Sequence, residues 1–181
     1  MPWKTLLIAM AMVPAALPTI AAKVGPAEPL DKHLENLRPF LGTTWSTVFT
    51  NSTAEKPMVE VMTYERALNG KAVRMFHSIN DGDYGGETLI YWDTARKTLA
   101  FFYLTTAGVR TEGTLTTEKN KFASLEIVKG EHNGITKVRA VAELLPTGRM
   151  QMTADYFKDG KWQPADKTEY VRDDTARVKF R

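Results

Sequence analysis

No cysteine occurs in the 181 residues. Disulfides, a thiolate nucleophile and the lipidated cysteine that anchors a bacterial lipoprotein are therefore excluded, and the fold must hold by its core alone. Histidine is scarce. The three present, His33, His77 and His132, fall on a predicted helix, a predicted strand and a predicted turn, so no metal site is expected from them. Charge of one sign is nowhere concentrated: with 24 Lys and Arg against 21 Asp and Glu and no cluster of five like charges, nucleic acid is not an expected partner. Catalytic signatures are missing too, with no Gly-x-Ser-x-Gly elbow, no His-Glu-x-x-His and no Gly-rich phosphate loop before a helix. The stretch Asp81-Gly82-Asp83-Tyr84-Gly85-Gly86 lacks the downstream ligands of an EF-hand and reads as a glycine-rich hairpin turn. No long helical pattern follows residue 40.

What is present begins with an export signal. Residues 1–22 carry a basic start at Lys4, an apolar stretch from Thr5 to Ile20 and small residues at Thr19, Ala21 and Ala22, the three-part layout of a cleaved signal peptide. Pro14 and Pro18 weaken this stretch as a spanning helix. Cleavage near Ala21 or Ala22 is expected to release a soluble protein into the periplasm or the exterior, with 23 basic residues left against 21 acidic ones. The mature length of about 160 residues suits one domain, since a chain of that size buries roughly 70% of the surface it exposes when unfolded.

Residues 23–29, with Gly25, Pro26 and Pro29, are expected to be a flexible leader. Asp31 then offers an N-cap and Leu34 and Leu37 follow at helical spacing, which predicts a short helix over 31–40 that stops before Pro39. From Leu41 onward come ten β-type runs, at 41–50, 58–68, 71–80, 87–93, 98–105, 109–118, 121–128, 135–145, 150–158 and 162–172. Turn dipeptides such as Asn69-Gly70, Ala107-Gly108 and Asp159-Gly160 separate them. This rhythm predicts an all-β protein: an antiparallel up-and-down barrel of about ten strands over 30–172, closed at one end by the short N-terminal helix and followed by a frayed tail at 173–181. A barrel of that size is either filled by its own side chains or occupied by a ligand, so the inward-facing residues become the functional question.

Faces follow from the turns. A two-residue type I′ turn at Asn69-Gly70 would place Leu68 opposite Lys71. Counting back, Tyr64 faces Met75, Met62 faces His77 and Glu60 faces Ile79 on one side, whereas Glu65 faces Arg74 and Thr63 faces Phe76 on the other. The first set holds the larger apolar groups and the second a cross-strand ion pair suited to water, so Met62, Tyr64, Met75 and His77 are sent inward. If Asp93 faces Thr98 in the second hairpin, Trp92, Ile90 and Thr88 share a face with Leu99, Phe101 and Tyr103. Tyr64, Met75, His77, Trp92, Phe101 and Tyr103 together form the expected wall of a mostly apolar ligand site with a few polar tips. Arg110, Glu112, Arg139 and Glu143 read as solvated outer surface; the alternative, an interior cluster gripping a carboxylate headgroup, needs Arg and Glu partners close together inside.

Four short segments, LRPFLGTTW at 37–45, YERALNG at 64–70, GETLIYWD at 86–93 and RTEG at 110–113, resemble an uncharacterised family of exported bacterial barrels of the lipocalin and nitrobindin type, the calycin fold. The resemblance runs from about residue 32 to residue 172 and concerns fold more than chemistry. It implies that Trp45, in a Gly42-x-x-Trp45 one residue longer than the family's Gly-x-Trp, packs beneath the barrel against Arg172. Nitrobindin-like relatives bind haem through a late His. Here the closing strand has none and the last His, His132, lies in a turn, so no cofactor is expected, with haem on His77 as the alternative.

Together these features predict an exported, soluble, calycin-like barrel that binds a small, mainly hydrophobic molecule. A filled-core structural or protein-interaction module is one alternative, and an enzyme acting on a lipid-like substrate through His77 or an interior Glu is another. A membrane-spanning barrel would need an apolar outer band, which neither parity of 109–118 or 121–128 supplies.

Overall fold

The computed structural model of the protein describes residues 28–129 and 133–181; the expected signal peptide, nearly all of the leader and His132 lie outside the described residues. Ten strands follow one another round a closed barrel: β1 (Thr44–Val48), β2 (Val59–Ala67), β3 (Ala72–Ile79), β4 (Tyr84–Asp93), β5 (Thr98–Thr105), β6 (Arg110–Glu118), β7 (Lys121–Lys129), β8 (Ile135–Leu144), β9 (Met150–Lys158) and β10 (Lys161–Arg172). Each pairs antiparallel with its chain neighbours. β10 closes the ring by pairing with β1, where Trp45 stands opposite Arg172.

The turns set the register as their chemistry requires. Asn69 and Gly70 sit at φ 54° and 84°, the left-handed pair of a type I′ turn, and the Lys71 N–H donates to the Leu68 carbonyl at 3.0 Å. Tyr64 therefore stands opposite Met75 and Met62 opposite His77, and Asp93 opposite Thr98 sends Phe101 and Tyr103 to the same inner face. On the outer face Arg74 lies 3.6 Å from Glu65 and binds Glu87 more closely, at 2.5 Å. β10 carries Pro164 within its length. The register shifts between Pro164 and Lys167, a bulge that absorbs a residue unable to donate to the ladder.

One end of the barrel is plugged. Leu34, Leu37 and Phe40 are fully buried there, together with Trp45, Tyr64, Phe122 and Met150. Leu37 and Phe40 lie on a 3₁₀ helix at Glu35–Phe40 with Leu34 at its N-cap and Pro39 inside it, and not on the predicted helix from Asp31 that stops before Pro39. The spacing explains the difference: 34, 37 and 40 recur every three residues, and a helix of three residues per turn places all of them on one face. Asp31 instead caps the preceding turn, its carboxylate accepting the His33 N–H at 3.1 Å.

The tail also departs from expectation. It is not frayed: it leaves β10 at the plugged end and reaches the opposite end of β3, where the Lys179 N–H donates to Ser78 Oγ at 3.1 Å. Lys179 and Arg181 pair with Asp81 and Asp83 at 2.9 and 2.6 Å. These four charges place the Asp81–Gly82–Asp83 turn under the C-terminus, and Ser78, on the outer face, becomes buried as a result.

Candidate functional site

Above the plug the barrel is hollow. A cavity of about 800 Å³ runs from mid-barrel to the unplugged end, where Phe49, Met58, Ile79, Tyr84, Ile135 and Tyr156 ring its mouth. Its volume lies within the range of small-molecule sites, roughly 300–1,000 Å³. The space arises because the inward positions of β6 to β9 turn small past the plug: on β7 the inward series runs Phe122, Ser124, and on β8 and β9 Ala140 stands opposite Ala154.

Two glycines shape the wall. A β-carbon on Gly113 would lie 2.5 Å from the Phe101 ring, and one on Gly86 would lie 2.5 Å from the Tyr103 ring. Both rings therefore approach the wall where the glycines leave it bare.

The wall holds one continuous polar chain. Glu60 is its centre: Tyr170 Oη donates to Glu60 Oε2 at 2.5 Å, and His77 Nδ1 meets Glu60 Oε1 at 2.5 Å. His77 Nε2 is 2.8 Å from Tyr103 Oη, and Tyr84 Oη stands 3.4 Å beyond. A carboxylate only accepts, so His77 presents Nδ1–H to Glu60, and Nε2 is left to pair with the Tyr103 hydroxyl. Burial pushes the phenols of Tyr103 and Tyr170 well above the ordinary tyrosine value, with Tyr84 adding to the first and Glu60 to the second. Both therefore act as hydrogen-bond partners in the neutral form. Tyr64 is raised likewise, by burial first and by the Glu60 charge second.

Three buried polar side-chain atoms have no hydrogen-bond partner among the described residues: Trp45 Nε1, Tyr64 Oη and Thr111 Oγ1. Trp45 belongs to the plug. Tyr64 and Thr111 are among the lining residues and are only 1% and 3% exposed, and their unpartnered hydroxyl oxygens are closed off from the void.

Of the residues predicted for the wall, Tyr64, Met75, His77, Phe101 and Tyr103 line this cavity. Trp92 does not. It shares their inward parity, but its position falls at the plugged end, where its ring stacks on His33 at 3.7 Å and 2°. The segment before the 3₁₀ helix takes the place a ligand would need. Arg110 and Arg139 have side chains 56% and 55% exposed and pair outside with Glu112 and Asp155, which removes the interior arginine cluster. His77, the haem alternative, has Nδ1 within hydrogen-bond distance of Glu60 and Nε2 within hydrogen-bond distance of Tyr103. Sequence reasoning placed Glu60 on the inner face without giving it a role, and it missed Tyr170 altogether. Only the alternation of β10 could have pointed to Tyr170, and the bulge after Pro164 hides that alternation.

No protein-family model and no curated protein matches the chain. The functional reading therefore rests on the barrel and its cavity.

Proposed function

We propose that the protein is a small-molecule-binding barrel whose ligand, a mainly hydrophobic molecule, enters the cavity between Phe101, Tyr103, His77 and Met75. The observation that carries this reading is the void itself: about 800 Å³ within a closed sheet, apolar over most of its lining. A filled core would have left no such space. The Glu60–His77–Tyr103 chain has the order of a carboxylate-oriented base on a hydroxyl, and that order is the observation behind the enzymatic alternative.

The proposal extends to lineage and address. Up-and-down closure and the Arg172 guanidinium 5.5 Å over the Trp45 ring support membership of the calycin-like barrels. The layout of residues 1–22 supports export. Outward ion pairs at mid-strand, Arg74 with Glu87 and Arg139 with Asp155, favour a barrel wall facing water.

The test fills the cavity. Native mass spectrometry of the protein purified from the periplasm is expected to show a co-purifying molecule, and Ala154→Trp is expected to abolish its retention while leaving the melting temperature within a few degrees. Retention unchanged by a tryptophan in the void, or no small molecule and no uptake of a hydrophobic fluorescent probe by the unaltered chain, would overturn the reading.

A further inference from the structure

Resting on the reading that the cavity takes a small hydrophobic molecule, we infer that this molecule enters and leaves sideways, through a slot in the barrel wall where β1 parts from β10.

The seam of the barrel is laced only near the plug. β1 pairs with β10 at Trp45 opposite Arg172 and Ser46 opposite Val171, and at no position beyond. From there β1 stays with β2: the pairing runs on to Val48 opposite Val59, and past the strand end the Phe49 N–H donates to the Met58 carbonyl at 2.9 Å. β10 meanwhile continues to the open end on β9 alone, from Tyr170 opposite Met150 to Lys161 opposite Lys158. Its free edge is a poor template for another strand. Pro164 has no N–H to offer, and the bulge between Pro164 and Lys167 interrupts the row of donors and acceptors.

A cleft of about 360 Å³ fills the gap, with residues 47–50 on one side and 167–169 on the other. It passes through the wall. Val48, at its outer lip, is 65% exposed, whereas Phe49, Thr50 and Thr168 line both the cleft and the main cavity. Thr47 bolts its deep end, where Oγ1 donates to the Glu169 carbonyl at 2.8 Å.

The flap formed by residues 49–58 is tethered on the side away from the slot. Asn80 Oδ1 accepts the Val59 N–H at 2.9 Å, and Asn80 Nδ2 donates to the Pro57 carbonyl at 2.7 Å. Elsewhere round the ring, widening the wall breaks a backbone ladder. Between the flap and β10 the described residues form no ladder, so the wall parts there at the least cost. The route is also the less obstructed one. A molecule entering end-on through the mouth passes the rings of Phe49, Tyr84 and Tyr156, whereas the slot presents Phe49 alone.

The chain has no cysteine, so one introduced thiol is a unique handle for blocking either route. Val48→Cys and Lys167→Cys stand on the two lips of the slot, and Val109→Cys lines the cavity between β5 and β6, across the ring from the seam. Each is labelled with a bulky, non-fluorescent maleimide, and the entry and release of Nile red are followed by stopped-flow fluorescence, with thermal melts to confirm folding. The label on Val48→Cys or Lys167→Cys is expected to slow entry and release together by about tenfold, with Kd held within about twofold. On Val109→Cys it is expected to leave both rates within about twofold of the unlabelled chain. Two lips provide two independent tests, and either one that folds is sufficient. Equal slowing at all three positions, slowing at Val109→Cys alone, or rates indifferent to a label in the slot would overturn the side entrance while sparing the cavity reading. No uptake of Nile red by the unaltered chain would overturn both.

Discussion

The two halves of the barrel are built on the same ten strands and the same inward alternation, yet one is solid and the other hollow. In the plugged half Phe40 enters the bore and meets Phe122 edge-on at 5.2 Å and Tyr64 at 5.7 Å, with Leu34, Leu37, Trp45 and Met150 filling the rest. In the hollow half the corresponding positions are Ser124, Ala140 and Ala154, and the large rings that remain approach the wall at Gly86 and Gly113. Stability is concentrated where side chains interdigitate, and binding capacity where they stop short. The polar chain from Tyr170 to Tyr103 belongs to the second half. It holds the wall of the void in one arrangement, because each of its members has a fixed partner.

The widest test of this division is alkaline unfolding, because the buried phenols of Tyr64, Tyr103 and Tyr170 span both halves. Their folded values lie above the unfolded one near 10, so their contribution is intact below that pH and is lost as pH rises beyond it, at about 1.4 kcal/mol per pH unit for each phenol. Tyrosinate absorbance and circular dichroism are expected to change together in one cooperative step above about pH 10. Phenols ionising in separate steps would mean that the hollow half opens alone.

Single substitutions sharpen the contrast. Phe40→Ala is expected to cost about 3–5 kcal/mol in urea denaturation and Met75→Ala, beside the void, about 1–2. Equal costs would erase the distinction between the halves. Glu60→Ala removes the acceptor of two buried donors and should cost about 2–4 kcal/mol by the same measurement, more than the half-buried Met75. Gly86→Ala sets a β-carbon against the Leu104 carbonyl oxygen and 2.5 Å from the Tyr103 ring, so it strains the β4–β5 backbone as well as displacing the ring. A loss of about 1–3 kcal/mol is expected, and the Tyr103 hydroxyl resonance should lose its His77 partner in NMR spectra. The smallest effect is at the seam, where Arg172→Ala removes a guanidinium over Trp45 and should lower stability by about 0.5–1 kcal/mol, read as a shift of the urea midpoint at unchanged slope.

Much of the frame was legible because it is local. The type I′ turn at Asn69-Gly70 fixes which residues of β2 and β3 share a face, and period-two alternation then carries Tyr64, Met75 and His77 inward with no reference to the rest of the chain. Asp93 does the same for Phe101 and Tyr103. The errors fell where local signals give out. Trp92 has the right parity, but only the position of the 3₁₀ segment along the barrel axis says that His33, and not a ligand, lies against it. The tail carries no period at all, and its docking depends on Asp81 and Asp83 being presented together at the far end of β3.

Strand count, turn geometry and the sorting of side chains to two faces were determined by the sequence alone, since each depends on residues a few positions apart. Whether the interior is hollow was decided only by the tertiary structure, because the void is the difference between a bore set by ten closed strands and the summed volume of side chains drawn from all of them. The Glu60–Tyr170 hydrogen bond has the same origin: its partners are 110 residues apart and meet only because β10 returns to β1.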